Sequence, residues 1–450
     1  MTESSLTEFH RRIQQLVHDG EVDKLREVLG SLHPSDIASL FLRLDRQGQN
    51  FVWDLLPEEI TPEVLVELDE PAQEELLDAL SEGEIGRLVD ELDSDDAADV
   101  IGSLDDEKAQ KVLDTLDVES QRDVRRLLTY EEDTAGGIMA LEVASVKEDS
   151  TVRQAVQELR DLVENEGVED IYNVYIVSAD GILRGVLNLR QFILAPPKTP
   201  VSELIEDDMI AVPTSLDQED VANIFRKYDL VSLPVIDDYS RLVGRITVDD
   251  IVDVLTEEAE EDLSIIAGTR DEDPGERSTF KVFRERFPWL LTGLAGGLIA
   301  ATVMHHFQAT LLEVIALAFF VPVITAMAGS TAIQSSSIVV RGLATGEIGL
   351  RDLLPRIFKE IRVALLNGLV LGIVLGGIVS FWLQEFNLGI LLGFILLINI
   401  CIASVLGASA PILMKRIKID PALAMGPFVT TAIDILGLLI YLGFAMMVLT

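Results

Sequence analysis

Along residues 1–134 Leu, Val and Ile recur at three- and four-residue spacing in short blocks, LREVLGSL, DIASLFLRL, EVLVEL, EELLDAL, EIGRLVDEL, AADVIGSL, AQKVLDTL and VRRLL, separated by Pro, Asp or Gly. That period predicts amphipathic helices with early stops. Similar units return every 12 to 24 residues, which predicts a solenoid-like superhelix. Over 136–256 the pattern changes to helices alternating with short Val/Ile-rich strands, and it occurs twice. VASVKEDSTVRQAVQELR…YNVYIVSADGILRGVLNLRQFI is echoed by MIAVPTSLDQEDVANIFRKYDLVSLPVIDDYSRLVGRITVDDIV, and the matching GVLNLRQ and GRITVDD segments lie 59 residues apart. VDDIVDVLTEEAEEDLSII then predicts an amphipathic helix, Val252, Leu255, Ala259 and Ile266 on one stripe and Asp250, Asp253, Glu257, Glu258 and Glu261 on another. The turn-rich TRDEDPGERS separates it from the basic KVFRER.

Beyond that point apolar stretches cover roughly 287–307, 311–340, 362–383, 387–413 and 424–449. Each is near or above the ~20 residues a helix needs to cross a bilayer, so five spans are expected. The stretch holding Pro322, Gly329 and Ser330 to Ser337 is longer and more polar than a simple span, and a kinked or interrupted helix beside a wet path is expected there.

Charge divides the chain at the same place. The whole carries 35 Lys/Arg against 76 Asp/Glu, a net −41; residues 281–450 carry 11 against 8, and residues 1–280 carry 24 against 68, or −44. Such acidity excludes a nucleic-acid binder, because phosphate is repelled from most of the surface. Cations are the natural partners. A single cysteine, Cys401, excludes a disulfide framework, and five histidines with no HxxxH pair leave little for a zinc site. Carboxylates are therefore the expected metal ligands.

Arg284 and Arg286 precede the first apolar stretch; Arg341, Arg351, Arg356, Lys359 and Arg362 lie between the second and third; Lys415, Arg416 and Lys418 lie between the fourth and fifth. The connections HHFQAT and QEFN and the C-terminal tail have no Lys or Arg. By the positive-inside rule the N-terminal part is cytoplasmic and Thr450 is outside. The acidic opening MTESSLTEF has no signal-peptide pattern.

Asp434 lies about ten residues into the last stretch, PALAMGPFVTTAIDILGLLIYLGFAMMVL. A carboxylate at that depth costs several kcal/mol unless it meets water or a cation. Gly426, Pro427, Thr430 and Thr431 upstream form a small, oxygen-bearing wall that suits a hydrated ion. Glu313 sits near the outer end of its stretch, as an interfacial residue with a minor attracting role. In the soluble part Asp90, Asp93, Asp95, Asp96 and Asp99 load one segment with charge; Asp95 and Asp99, four apart, share a helical face. The bland reading of each is a solvated acidic surface.

No P-loop, nucleophile elbow or histidine suited to acid–base work appears beyond His305 and His306 at the outer membrane edge, so nothing supports an enzyme. A nucleotide sensor serving a carrier of another solute is the competing class. Such a carrier needs a larger polar pocket and repeats among its spans, which the sequence lacks.

The 59-residue repeat resembles the cystathionine-β-synthase (CBS) domain, a tandem regulatory module that often binds adenine nucleotides. Thr247 and Asp250 match that family's ribose-contacting Thr and Asp, whereas the first copy has Asn188 and Gln191 there, which implies a single nucleotide site at most. Taken whole, the chain resembles the MgtE-type magnesium channels. YEEDTAGGIMA (130–140), VPVITAMAGSTAIQSSSIVVRGLATGEI (321–348) and DPALAMGPFVTTAIDILGLLIY (420–441) match that family in register.

The resemblance implies a multidomain chain: an all-α superhelical N-domain at 1–134, an α/β tandem CBS pair at 135–256, a connecting helix and linker at 249–280, and a five-helix transmembrane domain at 281–450. It implies Mg²⁺ uptake through a homodimer in the bacterial cytoplasmic membrane, with Mg²⁺ as both substrate and regulatory ligand, and ATP as a further ligand. By position it assigns the hydrated ion to Asp434, with Gly426 and Thr430 lining the site through backbone oxygens. It assigns regulatory Mg²⁺ to Asp95, Asp99, Asp229, Asp250, Asp253, Glu258, Glu261, Asp262 and Asp420. One departure stands in the second span, where Ser330 and Ala332 replace the family's usual Asn and Gly.

Overall fold

The computed structural model describes residues 13, 15–17, 21–166, 171–205, 209–267, 279–344, 348–349 and 353–449, with 165, 166, 266, 267, 281, 285, 427 and 428 described by backbone alone. The opening MTESSLTEF, the TRDEDPGERS linker and Arg351 lie outside the described residues. The chain forms two compact units, Met1–Val254 and Leu255–Thr450.

The first unit begins with short helices: α1 (Val22–Leu29), α2 (Pro34–Phe41), α3 (Arg46–Trp53), α4 (Thr61–Val66), α5 (Glu70–Ala79), α6 (Glu82–Val89), α7 (Ser94–Gly102), α8 (Asp106–Leu113) and α9 (Val118–Leu127). They are short because start signals recur so closely. Asp45, Asp105 and Asp117 each accept backbone N–H groups at the first turns of α3, α8 and α9, and Ser81 with Glu84 forms a capping box on α6. Such caps stabilise a helix start by about 1 kcal/mol. Part of the acidity of this segment therefore holds helices rather than metal. Isolated helices of this length are unstable in water; stacking supplies the core, through Leu25, Ile37, Phe41, Val64, Leu77, Ile85, Ile101, Val112 and Val124.

Two small sheets of one topology follow. In the first, β1 (Ser145–Lys147) runs parallel to β2 (Asn173–Val177), which pairs antiparallel with β3 (Leu183–Asn188); β4 (Val212–Pro213), β5 (Ser232–Ile236) and β6 (Leu242–Thr247) repeat the order. Even the irregularities recur at the repeat distance, between Ile176 and Val177 and between Val235 and Ile236. Helices α10 (Val152–Glu166) and α11 (Leu189–Leu194) cover the first sheet and α12 (Gln218–Tyr228) the second. The two copies meet through Tyr175 and Ser232, whose oxygens lie 2.5 Å apart. Their cores differ in ownership. Val212, Phe225, Val235, Ile246 and Ile251 of the second copy belong to one hydrophobic core with the helical segment, whereas the first copy packs around its own Val174, Ile176, Leu187 and Phe192.

Helix α13 (Val248–Ala267) leaves the second copy. Its inner stripe corrects the sequence reading by one position: Ile251, Val254 and Ile265 are buried, whereas Val252 and Leu255 are exposed. The expected stripe follows the same helical period but is set one residue too far along the chain. Continued at helical spacing, the true stripe carries Glu258 and Asp262, both half-buried.

In the second unit, α14 (Thr279–His306), α16 (Ala316–Ala344), α17 (Leu353–Leu383), α18 (Phe386–Arg416) and α19 (Pro427–Leu449) are long, and a short α15 (Gln308–Glu313) joins the first two. The described residues hold five helices long and apolar enough to cross a membrane, the number expected. The third starts at Leu353, earlier than the 362 read from the apolar run. The expected interruption near Gly329–Ser337 does not occur: α16 is helical throughout, and the chain leaves helical form at Val314–Ile315, before Pro322. Ser335 and Ser336 find partners on other helices and Ser337 donates to the Ile333 carbonyl of its own, so the helix need not break to satisfy them.

The α17–α18 pair packs closely along glycines, where a Cβ on Gly372 would stand 2.5 Å from the Gly393 carbonyl oxygen. Backbones approach this way where lipid offers no hydrophobic drive between helices. Leu290, Leu294 and Leu298 of α14 and Leu366, Val370 and Ile373 of α17 are exposed, the outward face a hydrocarbon solvent requires. Helix α18 lies at the centre.

Candidate functional site

Two acidic clusters and two intramembrane carboxylates carry the chemistry. In the first unit α7 and the start of α13 face each other. Asp95 is pushed well above the usual carboxylate range by burial first, then by Asp96, Asp250 and Asp93. Burial, with Asp250, Asp93, Asp99 and Asp249, pushes Asp96 up to about 7. Asp250 is raised too, chiefly by burial; hydrogen bonds from the Thr247 N–H and hydroxyl, both 2.8 Å to Oδ2, oppose the rise. Like charges held together out of water behave this way unless a cation joins them. Asp253 is raised by burial, Glu67 and Asp249.

Asp95 and Asp99 share α7, as their spacing implies, and Asp95 also faces Asp250 at the start of α13. Asp99 is exposed and acts on Asp96, while Asp95 answers to Asp250 on another helix. Spacing along one helix identifies neighbours on that helix only. Asp229 is exposed, in left-handed conformation at the end of α12.

Thr247 and Asp250 form a capping arrangement at the start of α13, and Asn188 with Gln191 forms its counterpart 59 residues earlier. The residues singled out for nucleotide contact thus already have a local task.

The second acidic cluster lies in the other unit. Burial, then Asp420 and Glu261, push Asp262 up to about 6. Asp420 also caps the short turn Pro421–Met425 by accepting the Ala422 N–H at 2.8 Å. Glu258 lies one turn before Asp262 on the same helix. The sequence-derived set Glu258, Glu261, Asp262 and Asp420 therefore contains three residues brought together and one on the adjoining turn.

In the last long helix Asp434 is half-buried, and its Oδ1 stands 3.4 Å from where a Cβ on Gly329 of α16 would be. Thr430 shares its face one turn earlier, its hydroxyl donating to the Gly426 carbonyl at 3.3 Å. Gly426 is buried at the mouth of the helix. Thr431 faces the other way, against Gly296 of α14. On the neighbouring α18, buried Asn399 donates from Nδ2 to the Gly437 carbonyl at 3.3 Å, and its Oδ1 has no hydrogen-bond partner among the described residues.

A second carboxylate went unrecognised in the sequence. Glu360 of α17 is buried and accepts from Arg356 at 2.6 Å, from Ser335 of α16 at 2.8 Å and from Ser404 of α18 at 3.0 Å. Arg356 and Glu360 are four apart, a spacing that marks an ion pair on a helix. The segment was read as a basic connection, which concealed it. Glu313, by contrast, is exposed at the end of α15.

Model matches run through all three parts: the family described as "MgtE intracellular N domain" matches residues 32–133, "CBS domain" matches 201–257, and "Divalent cation transporter" matches 321–444. A magnesium transporter MgtE of Thermus thermophilus is 38% identical over 442 residues, 97% of this chain and 98% of that protein. The chain belongs to the MgtE family. A magnesium transporter MgtE of Bacillus subtilis is 32% identical over 96% of each chain. Among solved structures, the cytosolic domain of the Mg²⁺ channel MgtE in complex with ATP aligns with a TM-score of 0.51 at 38% identity, covering 54% of this chain and 99% of that one. The MgtE architecture of helical N-domain, CBS pair and apolar helical domain is the one described above. The clusters at Asp95/Asp96/Asp250 and Asp262/Asp420 gather carboxylate oxygens, with Arg245 beside the first, and no group of three or more such side chains among the described residues is close enough to hold a metal ion as it stands.

Proposed function

We propose that this chain takes up Mg²⁺ across the bacterial cytoplasmic membrane and is closed by cytoplasmic Mg²⁺. The observation that carries the reading is Asp434, a carboxylate inside an apolar five-helix domain, facing a glycine of the neighbouring helix. A single carboxylate flanked by Thr430 and small residues attracts a dication without stripping it, and Mg²⁺ gives up its water reluctantly. Two copies contribute one Asp434 each on a two-fold axis, so the ion path belongs to a homodimer. The N-terminus is cytoplasmic and the C-terminus outside, following the distribution of Lys and Arg. The membrane potential drives entry at roughly 2.3 kcal/mol per charge per 100 mV, about double for a dication, and no ATP is consumed.

The working divisions are 1–134 for the helical domain, 135–256 for the CBS pair, 249–280 for the connecting helix and linker, and 281–450 for the membrane domain. Regulatory Mg²⁺ bridges carboxylates within the two clusters, Asp95, Asp96 and Asp250 in one and Glu258, Glu261, Asp262 and Asp420 in the other, with Asp253 and Asp99 at the margin of the first. Removing repulsion in this way favours the closed arrangement, and several weak sites acting together make closure steep. Asp229 has the least support as a ligand.

Mg²⁺ currents of purified protein in bilayers test the reading. Asp434→Ala and Asp434→Asn lose Mg²⁺ current while the protein still folds. Asp250→Asn, Asp253→Asn and Glu258→Gln combined keep the current and lose inhibition by Mg²⁺ on the cytoplasmic side. Full current in Asp434→Asn overturns the first part, and unchanged inhibition in the triple variant overturns the second.

A relative's cytosolic domain binds ATP, which favours nucleotide binding at the CBS pair here as well. Thr247 and Asp250 remain the candidate contacts, and a nucleotide there shares Asp250 with the helix cap. Calorimetric titration of ATP into the full chain and into Thr247→Val decides this.

A further inference from the structure

We propose that Glu360 is a positioning residue for the ion path: it holds α16 between α17 and α18 so that Gly329 stays beside Asp434. The inference rests on the transport reading above. Its geometry involves four buried or nearly buried side chains from three helices. Glu360 is 5% exposed, Ser335 4% and Ser404 2%. Oε1 of Glu360 receives Arg356 at 2.6 Å, and Oε2 receives Ser335 at 2.8 Å and Ser404 at 3.0 Å; the two hydroxyl oxygens are themselves 2.9 Å apart.

Counting hydrogens identifies which group does the holding. Three oxygens make three close contacts, and the two hydroxyls bring two hydrogens. Both hydroxyls donate to Oε2 of Glu360, whose Oε1 is paired with Arg356, so the Ser335–Ser404 contact has no hydrogen of its own. The carboxylate therefore draws the two serines together, and α16 and α18 with them. A charge-assisted hydrogen bond is stronger than a neutral one. Yet a buried ion pair is a poor device for stability alone, since apolar side chains of similar volume often serve as well or better.

What this arrangement fixes is the rotation and register of α16. Next to Ser335, the Ser336 hydroxyl donates to the Gly407 carbonyl at 2.7 Å. Toward the other end, the Tyr441 hydroxyl donates to the Leu317 carbonyl at 2.8 Å. Gly329 lies between these anchors, six residues before Ser335 and so about 9 Å from it along the axis. Asp434 meets α16 at that point. A turn of α16 about its axis, resisted at Ser335 by Glu360, would change which residue faces the Asp434 carboxylate.

The test compares Glu360→Ala, Glu360→Gln and the milder Ser335→Ala/Ser404→Ala pair by three measurements on the full chain: melting temperature, Mg²⁺ flux per folded molecule in liposomes, and oxidative cross-linking of Gly329→Cys to Asp434→Cys in a Cys401→Ala background. Flux in the serine pair is expected to fall at least about fivefold, the population change that loss of such hydrogen bonds produces. Cross-linking should slow in parallel, and the isosteric Glu360→Gln should retain more of both than Glu360→Ala. Unchanged flux per molecule and unchanged cross-linking in the serine pair, with only the melting temperature lowered, would overturn the inference. Cross-linking needs no transport, and Asp434→Asn run alongside tests the transport reading separately.

Discussion

Asp434 of the last helix and Gly329 of α16 face each other across a gap of one atom, with 3.4 Å between the carboxylate Oδ1 and the position of a Cβ on residue 329. The glycine is followed by Ser330 and then, two residues later, Ala332, where the family's usual residues are Asn and Gly. The backbone of Ala332 lies against Gly407 of α18, and Ala332 is buried in a cluster with Ala328, Ala403 and Ile433.

The 3.4 Å separation is ordinary van der Waals contact, so Gly329→Ala should fold and conduct, whereas Gly329→Leu should place its side chain over the carboxylate and reduce Mg²⁺ flux at least about tenfold. Flux assays in liposomes normalised to folded protein check this. Equal flux in Gly329→Leu would mean that no ion passes this face of Asp434.

Asp96→Asn should make the metal-free protein more heat-stable, because one of several crowded charges is removed from a buried cluster. The same change should raise the Mg²⁺ concentration for half-closure by about threefold to tenfold, since a dication loses one of its attracting charges. Melting curves in chelator and current inhibition by cytoplasmic-side Mg²⁺ provide the two readings.

Stability should depend on pH in a definite direction. Asp95, Asp96 and Asp250 have folded-state values above their unfolded ones, Asp96 at about 7. The folded chain thus keeps protons that the unfolded chain releases. Their contribution is complete below about pH 4 and is lost as pH rises through the folded-state values. In chelator the melting temperature should therefore fall between about pH 5 and pH 8, and Mg²⁺ should restore it most at the upper end, where the carboxylates are ionised. A flat profile in chelator would contradict the cluster as described.

Gly372→Val should destabilise the membrane domain by about 1–3 kcal/mol, the cost of forcing a side chain into a packed seam, because the Gly393 carbonyl oxygen leaves no room for a Cβ. Gly377→Ala, a position with open space around it, serves as the control. Chemical denaturation of the purified protein in detergent compares them.

Periodicity alone carried much of this protein. Three-residue and four-residue spacing marked the short helices, the 59-residue echo marked two copies of one helix-and-strand unit, and long apolar runs marked five long helices. Asp434 was legible because a charge in such a run contradicts its surroundings. All of these are signals within a single element, where chain geometry converts position directly into face and depth. The partners were not legible in the same way. That Asp95 meets Asp250, that α13 turns Ile251 and Val254 inward rather than Val252 and Leu255, and that Glu360 gathers serines from two other helices depend on which elements meet. Those encounters join residues as many as 155 positions apart in the case of Asp95 and Asp250. Only the packed chain decides them, because burial and hydrogen bonding act on distance in space, and sequence spacing measures that distance only along one helix or strand.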